Sequence, residues 1–436
     1  MPAATHINVV YARILPGTLL CLVLLALIPP AANGGEWTGS ISAETRLFPR
    51  SPLYPEQHGH NLSLALRARY YHEWPDRNER FVFSPFLRLD QHDHRRTHAD
   101  IGELYWHKIA PEWELRLGVC KVSWGVAESQ NLVDIINQTD AVEGLTSNAK
   151  LGQLMLNFSW VQDWGILDFF VMPMFRERTF TGRRGRFRAP VPIDHSRTRY
   201  ESSMRDWHPD VAVRYSHYFG ALDVGLSHFS GTSRDPRYLG RALGVTIAPG
   251  SPLANLTGAR IDSPFIRLLQ RIPSARLLPY YDQIEQTGVE LQYIYRSWIF
   301  KLEAIHRSGQ GHAYTAATGG AEYSFYSVFQ SAIDVTAVLE YMWDSRGRRA
   351  LTPFQNDIFF GSRIAFNDIQ GTSILTGAIV DARTGATAFG IEASRRLGND
   401  WRISVEARVF ANIPPNDIMT TARRDDYIQT ELTWFF

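Results

Sequence analysis

Apolar and polar side chains alternate in segments of roughly ten residues along most of this chain, and a period of two limits such segments to β-strands with one greasy and one wet face. In 62–74, Leu62, Leu64, Leu66, Ala68, Tyr70 and Trp74 fall on one side; Ser63, Arg67, Arg69, Tyr71 and Glu73 fall on the other. Near the end, Trp401, Ile403, Val405, Ala407 and Val409 oppose Arg402, Ser404, Glu406 and Arg408. Strands are expected to begin near residues 38, 61, 80, 99, 112, 152, 165, 210, 221, 286, 298, 313, 328, 356, 371, 386, 401 and 426, about eighteen in all. Connections after even-numbered strands are tight: 75–78, 110–111, 162–163, 219–220, 296–297, 368–370 and 398–400. Those after odd-numbered strands include 49–60, 120–150, 179–209, 231–285 and 411–425. An even strand number, short periplasmic turns and long extracellular loops describe an all-β fold, a closed transmembrane antiparallel β-barrel.

The N-terminus fits export. Arg13 precedes an apolar run over 15–28, and Ala31, Ala32, Asn33 and Gly34 follow it, the order of a cleaved secretory signal. Pro16, Pro29 and Pro30 break the run, which is short for a membrane helix. Residues 1–34 are therefore expected to be a signal peptide that carries Cys21 away, and 35–436 a single barrel domain. Beyond the signal no apolar stretch approaches the ~20 residues of a spanning helix. The first strand starts so soon after it that no plug domain, as a gated active transporter needs, is expected. With 45 basic and 44 acidic residues the chain lacks the basic face of a nucleic-acid binder. Cys120, the remaining cysteine, has no internal disulfide partner, and no Cys/His spacing suggests a metal; no cofactor is expected.

The last segment places Ile428, Thr430, Leu432, Trp434 and Phe436 on one face and Tyr427, Gln429, Glu431 and Thr433 on the other. Here the chain resembles the bacterial outer-membrane barrel class, whose members commonly end in an amphipathic strand with a terminal Phe that the assembly machinery reads. The resemblance implies a Gram-negative outer membrane as location, lipid and lipopolysaccharide as surroundings, and the barrel-assembly machinery as a partner through Phe436. A soluble edge strand would instead need covering or charge against aggregation. Trp74, Trp113, Trp164, Trp298 and Trp401 stand beside the short turns, where an interfacial girdle would place them.

If the aliphatic face meets lipid, the other face lines the lumen. Candidate pore-lining residues are Arg67, Arg69, Arg88, Arg116, Arg176, Arg214, Arg296, Lys301, Arg363, Arg402 and Arg408, with acids Glu73, Glu114, Asp168, Asp223, Glu290, Glu303, Asp334, Glu392, Glu406 and Glu431. A midplane Arg or Lys facing hydrocarbon costs ~2–4 kcal/mol, so these belong inside. At 16 to 18 strands a barrel is wide enough for water. Both signs occur on the wall, so cross-strand pairing competes with solute contact. Loop 120–150, with Trp124, Gly125, Asp134, Asn137 and Asp140, is the candidate constriction loop. Its W-G followed by D-I-I-N-Q-T-D resembles a loop of large outer-membrane porin families, including alginate-export-like and related uncharacterised porins; Gln138 stands where those have Pro. Loop 231–285 carries apolar stretches at 265–269 and 277–281 and suits either an inward constriction or an outward cap.

Arg183, Arg184, Arg186 and Arg188 form a basic run suited to a solvated loop or to attracting anionic lipopolysaccharide and solutes. His92, His94 and His98, beside Asp90 and Asp93, are bystanders or weak metal ligands. No zinc-protease, phosphate-loop or nucleophile-elbow motif is present, and no enzyme is expected. A barrel-embedded hydrolase using His217 or His228 is one alternative; a non-conducting adhesion or structural barrel is another. The expected function is transmembrane transport: a porin-like channel for passive diffusion of small hydrophilic solutes, with the arginine inventory leaning toward anions. Monomer and homo-trimer both fit.

Overall fold

A computed structural model of the chain describes residues 35–144, 149–242, 245–246, 269–415 and 417–436. The signal segment 1–34 and most of the apolar stretch 265–269 lie outside the described residues.

The alternating segments form eighteen strands: β1 (Gly35–Leu47), β2 (His60–Trp74), β3 (Glu79–Asp90), β4 (His98–Ile109), β5 (Trp113–Cys120), β6 (Gln153–Gln162), β7 (Gly165–Met172), β8 (Asp210–Phe219), β9 (Leu222–Thr232), β10 (Gln283–Tyr295), β11 (Trp298–Ser308), β12 (Tyr314–Phe325), β13 (Asp334–Asp344), β14 (Asn356–Ala365), β15 (Ser373–Asp381), β16 (Thr387–Leu397), β17 (Trp401–Ala411) and β18 (Tyr427–Phe435). Each pairs antiparallel with its neighbours, and β18 pairs back onto β1 from Leu47↔Ile428 to Ser40↔Phe435. Gly39 and Phe436 exchange two main-chain hydrogen bonds, of 2.9 and 3.0 Å, and complete the seam. A Cβ at Gly39 would stand 2.6 Å from the Phe436 ring, so a glycine is needed where the terminal aromatic crosses β1. Closure leaves no free sheet edge.

The faces divide as the alternation requires. On β2, Leu62 and Leu64 are 50% and 54% exposed on the outside, whereas Ser63 and Ala65 are buried inside. Leu117, Phe169, Leu226, Leu302, Leu339, Phe360, Val405 and Leu432 continue the outer apolar band. Trp74, Trp113, Trp164, Trp298 and Trp401 ring the short-turn rim. Pro85, which has no N–H to give, coincides with a register shift in β3, where Ser84 faces Glu103 and Pro85 faces Ile101.

One strand start moves. β13 begins at Asp334 rather than near 328, because Val328–Gln330 is a 3-10 turn flanked and entered by left-handed backbone at Ser327, Phe329 and Gln330. Val328 N–H bonds Ile333 O at 2.8 Å and Ser327 N–H bonds Asp334 Oδ1 at 2.9 Å, which closes a rim loop and leaves Phe329 98% exposed. Adjacent apolar residues read as a strand from sequence; the turn carries them outward.

The long loops leave the opposite rim. The described residues of 121–152 fold into the barrel, whereas those of 173–209 and 233–282 build a cap. In the cap, Arg237–Ala242 pairs antiparallel with Arg276–Tyr281, which runs parallel to Arg199–Tyr200. Val191, Leu269, Ala275 and Leu277 form its own small core.

Candidate functional site

The inner wall of β7 to β12 is not uniformly polar. Phe170, Met172, Phe229, Ile284, Ile305 and Tyr314 project inward and are covered by Trp124, Val133, Ile135 and Ile136 of segment 121–152 in a buried apolar core. Beside the ionisable positions of the wall, part of the interior is thus packed shut.

Three wall carboxylates hold the segment. Gly125 N–H donates to Glu290 at 2.8 Å. Val126, Ala127 and Leu132 N–H donate to Glu303 at 2.6, 2.8 and 2.7 Å. Glu128 and Ser129 N–H donate to Glu340 at 2.9 and 2.8 Å. Gly125 has φ +103°, and a Cβ there would meet Glu303 Oε1 at 2.7 Å, so the W-G pair serves this approach. Asn137 staples the two legs: its Oδ1 accepts from Val122 N–H at 2.8 Å, and its Nδ2 donates to Cys120 O and Leu151 O at 2.9 Å each. Asp134 pairs with Lys150. Of the five loop residues singled out in the sequence, Trp124, Gly125, Asp134 and Asn137 build the segment, and Asp140, bonded to Thr179 Oγ1 at 2.6 Å, reaches the open space.

That space is a cavity of about 480 Å³ between segment 121–152 and the inner faces of β1 to β3 and β16 to β18. A second cavity of about 370 Å³ lies along β14 to β18 and shares Glu392, Glu406, Gln429 and Glu431 with the first, so the two adjoin. The first is lined by nine Lys/Arg (Arg46, Arg67, Arg88, Arg96, Lys121, Lys150, Arg184, Arg186, Arg408) against nine Asp/Glu (Glu44, Asp90, Asp93, Asp100, Asp140, Glu143, Glu392, Glu406, Glu431), which leaves no net charge. The second has Glu392, Glu406 and Glu431 against Arg363.

Most wall charges are paired. Arg88 is buried between Glu44 at 3.0 Å, Glu143 at 2.8 Å and Ser63 Oγ at 2.8 Å, and Arg96 bonds Glu44 at 2.9 Å. Arg408 bridges Glu406 at 2.8 Å and Glu392, Arg363 meets Glu128 at 3.0 Å, Arg214 meets Glu290, and Lys301 meets Glu322. Glu114 lies 2.9 Å from His107 and 3.7 Å from Arg116, and Asp168 accepts from Ser159. Arg67 is looser, 3.9 Å from both Glu143 and Glu431. Asp223 takes a long bond, 3.5 Å, from Gln292; Arg69 and Arg402 lie over the Tyr71 and Phe435 rings. Two candidates leave the wall. Arg176 follows β7 and bonds Asp100 at 2.9 Å and Gly152 O at 2.8 Å, and Arg296 is a left-handed turn residue at the rim. Glu340 and Glu44 join the wall beyond the candidates that the sequence offers, and each stands on the inward parity of its strand.

The arginine run is dispersed rather than merely solvated. From the β7–β8 connection it crosses to the β1–β2 and β17–β18 loops, where Arg186, 7% exposed, bonds Asp425 at 2.7 Å and Arg424 O at 2.5 Å and lies 4.3 Å over Phe48. Phe187 N–H donates to Asp425 Oδ2 at 2.7 Å, and Gln57 Nε2 donates to Gly185 O at 2.8 Å. Burial pushes the Asp425 carboxyl up, and Arg186 opposes that shift. Segment 179–188 is thus a strap over the mouth. Asp90 and Asp93, beside the three histidines, are occupied by Arg96 and backbone N–H groups, and among the described residues no group of three or more His, Cys, Asp or Glu is placed to hold a metal. His217 and His228 lie on the outer face, since their strands turn Arg214 and Phe229 inward.

No protein-family model matches the sequence, and no curated protein matches it. Solved structures with a similar chain path include engineered variants of the porin of Rhodopseudomonas blastica, two of them 13% identical at a TM-score of 0.42 and a third 12% identical at 0.41; each pairing covers 92% of this chain and 100% of the other. The assignment rests on the barrel. Closed, eighteen-stranded, apolar outside and aromatic at its short-turn rim, the protein has the architecture of a bacterial outer-membrane β-barrel.

Proposed function

We propose that the protein is a passive channel for small hydrophilic solutes, which pass between the inward segment and the wall of β1 to β3 and β14 to β18. The observation that carries this is the pair of adjoining charged cavities along that wall, with four wall residues in common. An apolar, packed half and a charged, open half mean that solute meets paired arginines and carboxylates. Asp140 and Glu143 of the inward segment line the first cavity together with Arg67 and Arg408 of the wall, and we assign the constriction to them. The amphipathic aromatic strand β18, with Phe436 bonded to Gly39 just beyond it, supports delivery by the barrel-assembly machinery.

The anion preference suggested by the arginine inventory finds no excess of positive charge along this path. Single-channel recording of the refolded protein in planar bilayers is expected to show stepwise conductance with weak charge selectivity. The Glu392→Gln/Glu431→Gln variant is expected to move the reversal potential in a salt gradient toward anions. A folded protein without conductance would sink the proposal.

A second reading rests on one contact set. His228 Nδ1 lies 2.9 Å from Thr287 Oγ1 and its Nε2 lies 3.2 Å from Glu285, a hydroxyl, imidazole and carboxylate in sequence on the outer face of β9 and β10. The strand N–H groups there are used in the ladder, so no oxyanion donors stand ready, and the pore reading comes first. Hydrolysis of a fluorogenic ester that disappears in His228→Ala would support an interfacial hydrolase; equal rates in both proteins would remove it.

A further inference from the structure

The cap encloses another cavity, of about 340 Å³. Four arginines reach its wall from three separate loops: Arg95 from β3–β4, Arg183 and Arg188 from β7–β8, and Arg276 from β9–β10. Among the described residues Asp194 is the one carboxylate on that wall, and it is engaged: Oδ1 accepts from Ser196 N–H at 3.1 Å and Ser196 Oγ at 2.6 Å, and Oδ2 lies 3.6 Å from Arg197. Glu56, outside the cavity, serves two guanidiniums, Arg183 at 2.9 Å and Arg188 at 3.7 Å. Arg95 and Arg276 have no carboxylate within ion-pair distance among the described residues; Arg276 bonds only the carbonyls of Pro273 and Ala275, at 3.2 and 2.7 Å.

The site is built rather than incidental. Arg188 is buried, its guanidinium fixed 3.6 Å over the Tyr54 ring, and its Nε has no hydrogen-bond partner among the described residues. His195, also on the wall, is pushed down to about 4 by burial and by Arg95, so it stays neutral and can accept or donate a hydrogen bond without adding charge. Thr181 lines both this cavity and the lumen cavity, so the site adjoins the proposed path.

Convergent guanidiniums with too few counter-charges repel one another, and an anion placed between them removes that repulsion. Their planar forks match the paired oxygens of a phosphoryl group. We propose that this cavity binds a phosphate-bearing ligand, held among Arg95, Arg183, Arg188 and Arg276. A phosphorylated solute approaching the pore and a phosphate of neighbouring lipopolysaccharide present the same chemistry. The inference does not depend on whether the lumen conducts.

Calorimetric titration of the folded full-length protein in detergent with pyrophosphate, at low salt, tests it directly. Saturable binding is expected, weakened about tenfold or more by Arg95→Gln/Arg276→Gln, as the loss of two charge-assisted contacts requires. Among the described residues neither makes an ion pair, so folding should persist, which heat-modifiable gel mobility checks. Arg383→Gln, at an exposed turn, should bind as the wild type does. Competition by purified lipopolysaccharide would identify the lipid phosphate as the ligand, and absence of competition a soluble one. No saturable binding to folded protein, or undiminished binding by the double variant, would overturn the proposal. Because binding is read without current, its failure is distinct from a failure of the pore.

Discussion

Glu303→Ala is expected to raise open-channel conductance and make it noisy, while the barrel stays folded. The Glu303 side chain is fully buried and receives three short bonds from the backbone of segment 121–152, with Val133 N–H at 3.3 Å as a fourth. Hydrogen bonds to a charged group contribute roughly 1.5–3 kcal/mol each, so losing even two weakens the anchor by about 3–6 kcal/mol. That is enough to shift a closed-to-open population by more than a hundredfold. The ladder does not suffer, because it is the Glu303 main chain that pairs with Glu290 and Thr318. The apolar contacts of Trp124 and Ile136 persist, so the segment should fluctuate rather than leave the lumen. Glu303→Gln, which retains an uncharged acceptor, should change conductance less. Identical conductance in folded Glu303→Ala would show that the inward segment does not limit the pore.

Arg186→Ala is expected to release the strap. It leaves the Asp425 carboxylate buried without its cation, and breaking a buried pair in this way costs about 3–5 kcal/mol. The strap also contains Phe187 at φ +60°, a conformation that a bulky residue holds only where its surroundings enforce it. Here the enforcement comes from Asp425 and from the Phe48, Phe410 and Tyr427 rings. Limited trypsin digestion of the folded protein reads the release, since Arg183 and Arg184 beside the anchor are exposed. Cleavage there should be much faster in Arg186→Ala, and Arg186→Leu/Asp425→Leu should recover part of the protection, because replacing both charges removes the unpaired ion. Equal cleavage rates in wild type and Arg186→Ala would show that this pair does not hold the strap.

The barrel was legible because its two solvents impose a local rule. Lipid outside and polar groups within force alternate residues to opposite character, so the strand starts at 165, 210, 298, 356 and 401 could be read from the chain alone. Where the rule lapses, as at Val328 and Phe329, the apolar residues belong to a rim turn and the reading slips. Glu290 and Glu303 could be placed on the inner wall by the same parity. Nothing near them in sequence, however, indicates that their partners are backbone N–H groups more than 150 positions away.

Alternation, turn chemistry and the closing aromatic strand by themselves determined the number of strands, the face each side chain takes and the rim each loop leaves. Only the tertiary structure decided which loop turns inward, that part of the interior is packed with apolar side chains, and that the arginines of 183–188 divide among a latch, the lumen and a cap cavity. The reason is physical. Strand pairing repeats along the chain and so leaves a periodic signal, whereas a carboxylate that accepts from a distant loop, or an arginine that meets its partner across the mouth, depends on closure of the whole ring.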